Sequence, residues 1–179
     1  MAEDGDVCVL IPTLDEAETI GNVVRGFREQ GYDNVLVIDG RSADNTVEIA
    51  EEAGAEVMVQ SGSGKGQAVR EAVEQIEADY VLMLDGDGTY LPDQADRLLD
   101  PLREGIADHV VGDRFADMEA GAMTTLNRLG NGLFNWVFRR VHGEDQGDIL
   151  SGYRAFTRES FERMHLTADG FGIESEIAV

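Results

Sequence analysis

Lysine is almost missing from this chain: a single one, Lys65, stands against thirteen arginines. Cysteine is equally scarce, with Cys8 alone, so no disulfide framework can form and a reducing compartment is the natural setting. No apolar run approaches the roughly 18 residues that a membrane-spanning helix needs. The N-terminus, Met1-Ala2-Glu3-Asp4-Gly5-Asp6, is acidic where a secretory leader is basic. These absences predict a cytoplasmic protein without a targeting segment. Positive charge is short altogether: 36 acidic residues against 14 basic ones leave a net charge of −22. That excludes a general nucleic-acid surface, which needs a basic footprint. Disorder is excluded by regularly spaced apolar runs. An acidic, lysine-poor but well-patterned chain fits life in concentrated salt, where screening removes its self-repulsion, and predicts a halophilic protein.

What is present is a succession of short apolar runs ending in Asp, Gly or Pro. With 179 residues and 42% hydrophobic content, the chain suffices for one globular domain with a proper core. Residues 7–11, 34–38, 56–59, 80–84 and 110–114 are predicted as strands. Between them lie helical patterns from Asp15 to about Gln30, from Ser42 onward, over 67–77 and over 92–104. Alternating units of this size predict an α/β fold, a doubly wound and mainly parallel sheet flanked by helices with right-handed crossovers. Beyond Arg114 the texture changes. Residues 115–123 read as a loop and 124–141 as a long helix, with Leu126, Leu129, Leu133, Val137 and Val141 on one side. Phe134, Trp136 and Phe138 beside Arg139-Arg140 raise a lipid-facing alternative to a plain core-and-surface helix. The chain ends in a helix just begun, which predicts that more sequence follows.

The chemistry centres on Asp85-Gly86-Asp87, directly after the most apolar run, Tyr80-Val81-Leu82-Met83-Leu84. Ligands of open α/β sheets sit outside the carboxyl ends of the strands. Two carboxylates there suit a hard cation, Mg²⁺ or Mn²⁺, whose shell is completed by water and substrate phosphates. An EF-hand is excluded, because Tyr90 falls where that loop needs Gly and Asp96 where it needs Glu. Asp39 ends the second predicted strand as Asp85 ends the fourth; a turn or cap is its plain reading. Gly62-Ser63-Gly64-Lys65-Gly66 is not a Walker A loop, since Val59 replaces the first Gly and Gly66 follows the Lys. Yet the one lysine of the chain, between glycines at a predicted helix N-terminus, points to a contact with an anionic substrate. Arg114, Arg128 and Arg154 are candidates for gripping a phosphate or for surface ion pairs. His109, His142 and His165 lack ligand spacing, and Ser151 lacks the surroundings of a nucleophile elbow.

Four ordered motifs, Ile11-Pro12-Thr13-Leu14-Asp15-Glu16, Val37 to Thr46, Gly64-Lys65-Gly66 and Asp85-Gly86-Asp87, resemble the family 2 glycosyltransferases of GT-A fold. Val111-Gly112-Asp113-Arg114, Asn127-Arg128, Asp148 to Arg154 and Gly170 to Glu174 look like the dolichyl-phosphate hexosyltransferase branch, closest to the archaeal enzymes that load the first sugar for N-glycosylation. The resemblance implies a single catalytic domain over 1–179, with a nucleotide-sugar half (1–114) and an acceptor half (115–179). It implies Pro12, Glu16, Asp39, Lys65 and Asp85 as donor-binding residues, Asp85 and Asp87 as ligands of Mg²⁺ or Mn²⁺, and Arg114 and Arg128 on the acceptor phosphate. Asp87, Asp148 and Glu174 would be the catalytic set. A hexose would pass with inversion from a nucleotide-diphospho-sugar, UDP-glucose favoured, to dolichyl or polyprenyl phosphate at the inner face of the membrane. Gly40, Asp15 and Thr89 depart from the common family residues, and Thr89 speaks against GDP-mannose. A nucleotidyltransferase, a non-catalytic nucleotide-sugar sensor and a glycosyltransferase with a non-lipid acceptor are the alternatives.

Overall fold

A computed structural model describes residues 6–112, 152–164, 166–170 and 172–177. The expected strands and helices alternate as β1 (Val7–Thr13), α1 (Ile20–Glu29), β2 (Val35–Asp39), α2 (Thr46–Glu52), β3 (Glu56–Val59), α3 (Lys65–Val73), β4 (Tyr80–Met83), α4 (Ala95–Arg103) and β5 (His109–Val111). Two elements were not expected, β6 (Arg154–Thr157) and α5 (Arg158–Arg163), and a short helix α6 (Ile173–Ile177) closes the described chain. The six strands lie in the order β3-β2-β1-β4-β6-β5. β1 pairs in parallel with β2 and β4, and β2 with β3. The sheet is thus mainly parallel, but β6 runs antiparallel to both β4 and β5.

Side chains alternate across each strand and build one core per face. Val9, Ile11, Val37, Leu82 and Leu84 pack under the α1, α2 and α4 side with Phe27 and Leu99. Cys8, Leu10, Ile38, Val81 and Met83 pack under α3 with Val69, Phe156, Ile173 and Ile177. β1 is buried along its whole length, as a central strand covered on both faces must be.

Helix starts differ from the sequence expectation for identifiable reasons. α1 begins at Ile20, and Asp15 to Glu18 lie before it. Their backbone is held elsewhere: the N–H groups of Asp15, Glu16 and Ala17 donate to Ser42 Oγ (2.8 Å), Thr46 Oγ1 (2.8 Å) and Asp44 Oδ2 (3.2 Å). The 92–104 helix opens with a 3₁₀ turn, Pro92–Gln94, and carries Pro101 inside α4. α5 is capped by Thr157, whose Oγ1 accepts the Ser160 N–H at 3.1 Å. The expected helix 124–141, with its lipid-facing alternative, lies outside the described residues, as do Arg114, Arg128, His142, Asp148, Ser151 and His165.

Candidate active site

The strand order reverses between β1 and β4, and a ligand crevice in a doubly wound sheet forms at such a switch point. Here the carboxyl ends of the strands enclose a cleft of about 520 Å³. Its walls are Pro12, Thr13, Leu14 and Glu16 after β1, Ile38 and Gly40 at β2, Gln60 after β3, Gly64, Lys65 and Ala68 at α3, and Asp85, Gly86 and Asp87 after β4. Five of the expected site residues, Pro12, Glu16, Lys65, Asp85 and Asp87, therefore meet in one cavity.

The two carboxylates of the DGD turn have different surroundings. Asp85 Oδ1 is ion-paired with Lys65 Nζ, the side chains being 32% and 9% exposed. Asp85 Oδ2 faces Gly152, where an added Cβ would stand 2.2 Å away, so any larger residue there would push the carboxylate aside. Gly152 is held there by its N–H, which donates to the Tyr90 hydroxyl at 2.8 Å, while the Tyr90 ring packs on Tyr153 with centroids 5.0 Å apart. Asp87 is exposed and accepts the Thr89 N–H at 2.9 Å, a local turn that leaves it at the cleft rim. Glu16, across the cleft, has its carboxyl raised above the usual range by burial, with the negative charges of Asp87 and Asp85 adding to the shift. Three carboxylates thus face the same cleft.

Such a convergence suits a cation. Among the described residues no three His, Cys, Asp or Glu form a ready-made metal site. Two carboxylates without a third protein ligand match a Mg²⁺ or Mn²⁺ that takes the rest of its shell from water and phosphates. The Lys65 ammonium lies on Asp85 as a cation of the protein's own. The donor set therefore fits such an ion.

Asp39 sits differently from the other candidates. It is 1% exposed, and its carboxylate accepts the Ser42 hydroxyl at 2.5 Å and the Ser42 N–H at 2.9 Å. It braces the turn beneath Gly40 and does not line the cleft. Arg154, a candidate phosphate ligand in the sequence, is fully buried on β6 opposite Met83. Gln60 carried no sequence signal yet forms part of the cleft wall at 4% exposure.

The N-terminus of α3, expected to receive an anion, is already occupied. The N–H groups of Gly66 and Gln67 donate to the Asp169 carbonyl at 2.9 and 3.2 Å. Residues 166–170 lie so close that a Cβ on Gly66 would fall 2.1 Å from the Ala168 oxygen. Arg70 grips this strap through the Ala168 carbonyl and, at 2.6 Å, through Asp169 Oδ1. From α6, Glu176 accepts the N–H groups of Ala168 and Thr167, both at 2.8 Å, and the Thr167 hydroxyl at 2.7 Å. These bonds, the Ala168 N–H first among them, hold its carboxyl below the usual range. The Lys65 side chain leaves the same helix start towards Asp85. Glu174 lies in the same α6, and its side chain is outside the described residues.

A mainly parallel sheet with a reversed strand beside β4, and a carboxylate pair at the switch point, are the features of the GT-A fold. Residues 8–164 match Glycosyl transferase family 2, and the chain belongs to that family. It is 67% identical over 174 residues to glycosyltransferase AglJ of Haloferax volcanii, covering 97% of this chain and 57% of AglJ. It is 33% identical over 176 residues to the dolichyl-phosphate hexose transferase of the same organism, covering 97% of this chain and 75% of that protein. Among solved structures, glucosyl-3-phosphoglycerate synthase from Mycobacterium tuberculosis, crystallised with Mn²⁺, UDP-glucose and phosphoglyceric acid, superposes with a TM-score of 0.80. It shares 23% identity, with 96% of this chain and 63% of that chain covered. The chain thus spans less than two thirds of the length of AglJ and of the synthase.

Proposed function

We propose that this chain is the catalytic domain of an inverting hexosyltransferase that moves a hexose from a nucleotide-diphospho-sugar to dolichyl or another polyprenyl phosphate. The observation that carries the reading is the convergence of Lys65, Asp85, Asp87 and Glu16 in one cleft at the sheet's switch point, in a family 2 chain. The dolichyl-phosphate hexose transferase of Haloferax volcanii supports the lipid-linked context. Residues 1–114 form the donor half in this reading and 115–179 the acceptor half. UDP-glucose is the favoured donor, and the reaction takes place at the cytoplasmic face of the membrane as the first step of lipid-linked glycan assembly.

In the reaction the bond between the anomeric carbon and the diphosphate oxygen breaks, and its electron pair leaves with the nucleoside diphosphate. An oxygen of the acceptor phosphate forms the new bond from the opposite face. A phosphate monoester with its second pKa near ~6 is already largely dianionic at neutral pH, so positioning matters more than a general base. Asp85 and Asp87 would hold Mg²⁺ or Mn²⁺, which when bound supplies Lewis-acid stabilisation of the leaving diphosphate. Lys65 adds a positive charge to the same group, and Pro12 and Glu16 line the nucleoside side. Arg114 and Arg128 would orient the acceptor phosphate, with Asp148 and Glu174 near the transferred sugar. Asp39 acts on the base side through the turn it braces.

The test is calorimetric titration of UDP-glucose and GDP-mannose in concentrated KCl, with and without Mn²⁺, followed by transfer to dolichyl phosphate and analysis of the product anomer. UDP-glucose binding that needs Mn²⁺, and a product of inverted configuration, are expected. Retained configuration, or release of pyrophosphate from a nucleoside triphosphate, overturns the reading.

A further inference from the structure

Asp85 is placed to bind a divalent cation, yet Oδ1 already carries the Lys65 ammonium and Oδ2 faces the Gly152 backbone. A dication and an ammonium cannot share one carboxylate oxygen without strong mutual repulsion. At either oxygen a dication would lie close enough to that ammonium to repel it, so it must displace Lys65 or bind Asp85 poorly. Lys65 has a nearby alternative, because it lines the same cleft as Asp87 and Glu16, where a donor diphosphate would bring new negative charge. The base from which it swings is fixed, since Gly66 and Gln67 at the start of α3 are held by the Asp169 carbonyl. A flexible four-carbon stem with a compact charge suits such a transfer better than a planar guanidinium. The single lysine, among thirteen arginines, stands at the one point where this property matters.

We infer that Lys65 is an exchangeable counter-cation that couples metal binding to donor binding. It occupies Asp85 in the absence of ligands and passes to the diphosphate when metal and donor arrive together. The inference rests on the proposed donor site. Metal alone is penalised by the ion pair it must break, whereas metal with a nucleoside diphosphate offers the ammonium a strongly anionic partner in exchange for Asp85. By linkage the same factor must appear in donor affinity.

The test is Mn²⁺ binding to the whole chain in concentrated KCl, followed by the electron paramagnetic resonance of free Mn²⁺, with and without UDP-glucose. Wild type is expected to bind Mn²⁺ about tenfold more tightly when UDP-glucose is present, a coupling of ordinary size. K65M should bind Mn²⁺ alone about tenfold more tightly than wild type and lose most of that coupling. K65R keeps a cation on Asp85, so its affinity for Mn²⁺ alone should stay near wild type, while its coupling to UDP-glucose should be smaller, because a guanidinium transfers less readily. A wild-type measurement guards against misfolded variants. With one lysine in the chain, isotope-labelled lysine gives a single side-chain NMR signal, which should shift when Mg²⁺ and UDP-glucose bind together. If Mn²⁺ and UDP-glucose bind but K65M gains nothing and the lysine signal stays put, the coupling is refuted and the transferase reading stands. If wild type binds neither ligand, both fall.

Discussion

Two cavities of nearly equal size open at opposite ends of the same sheet, about 520 Å³ at the carboxyl ends of the strands and about 550 Å³ at their amino ends. The amino-end cavity is lined by Asp6, Cys8, Asn34, Leu36, Glu56, Met58 and residues 75–79. It holds acidic groups too, yet they come from strand starts and from the 75–79 loop, and among the described residues its lining includes no basic side chain. Its one reactive group is quiet, because burial, with the Glu56 carboxylate adding to it, pushes the Cys8 thiol up to about 12. The carboxyl-end cleft differs in arrangement. Asp85 and Asp87 leave a buried strand side by side, Lys65 crosses from α3, and Gly152 is drawn in by Tyr90. Volume is common to both ends; convergence of opposite charges from separate strand ends belongs to one.

The largest expected contrast comes from removing that convergence. Asp87→Ala should lower hexose transfer by about 10²- to 10³-fold, as loss of electrostatic stabilisation at a developing charge does, measured as radiolabelled sugar on dolichyl phosphate. Activity within a few-fold of wild type would erase the distinction between the two ends. A second effect tests the sheet away from both cavities. His109, on edge strand β5, is pushed down to about 4 by burial, with the Arg154 charge adding to it, and its Nε2 has no hydrogen-bond partner among the described residues. A folded-state value below the unfolded one means stability that is full above about pH 6.5 and is lost as pH falls towards 4. The loss should approach ~3 kcal/mol and should be absent from His109→Phe in denaturant titrations across that window.

Gly66→Ala should come next. It forces a methyl against the Ala168 carbonyl, and overpacking of this kind costs about 1–3 kcal/mol. Chemical denaturation would measure it, and an unchanged midpoint would mean that the strap yields freely. The smallest effect is the control at the other end: Glu56→Gln and Asp79→Asn should leave transfer within about twofold, as surface changes away from a site do. A large loss there would show that the amino-end cavity takes part after all.

Much of this was legible in the sequence, because β1 to β4 are apolar runs that stop at Pro12-Thr13, Asp39, Val59 and Asp85, and the stops are where the cleft is. The carboxylate pair and Lys65 could be picked out singly. Their contact could not, since Lys65 reaches Asp85 only after β4 has paired with β1 and α3 has packed over β1 and β2. β6 was missed because Arg154 to Thr157 is four residues long, begins with a charge and shows no alternation; the cap Thr157-x-x-Ser160 was its one local signal. The strap at 166–170 is irregular backbone held by Arg70 and Glu176, and nothing in its composition announces a partner on α3. Asp39 shows the converse. Its position at a strand end was read correctly, while its bonds to Ser42 depend on side-chain geometry that spacing does not encode.

The pairing of α3 with Ala168 and Asp169 also has a meaning in time. Arg70 and its partners lie 98 and 99 positions apart in the chain. During synthesis at about 5–20 residues per second, the helix start bearing Lys65 leaves the ribosome several seconds before the carbonyl that caps it. β5 likewise waits for β6 before it can join β4. Strands β1 to β4 can assemble as a parallel unit first, and the cleft reaches its final shape only when residues 152–177 arrive. A chain cut off before that point would carry the carboxylates on a sheet but leave the wall that aims the lysine unbuilt.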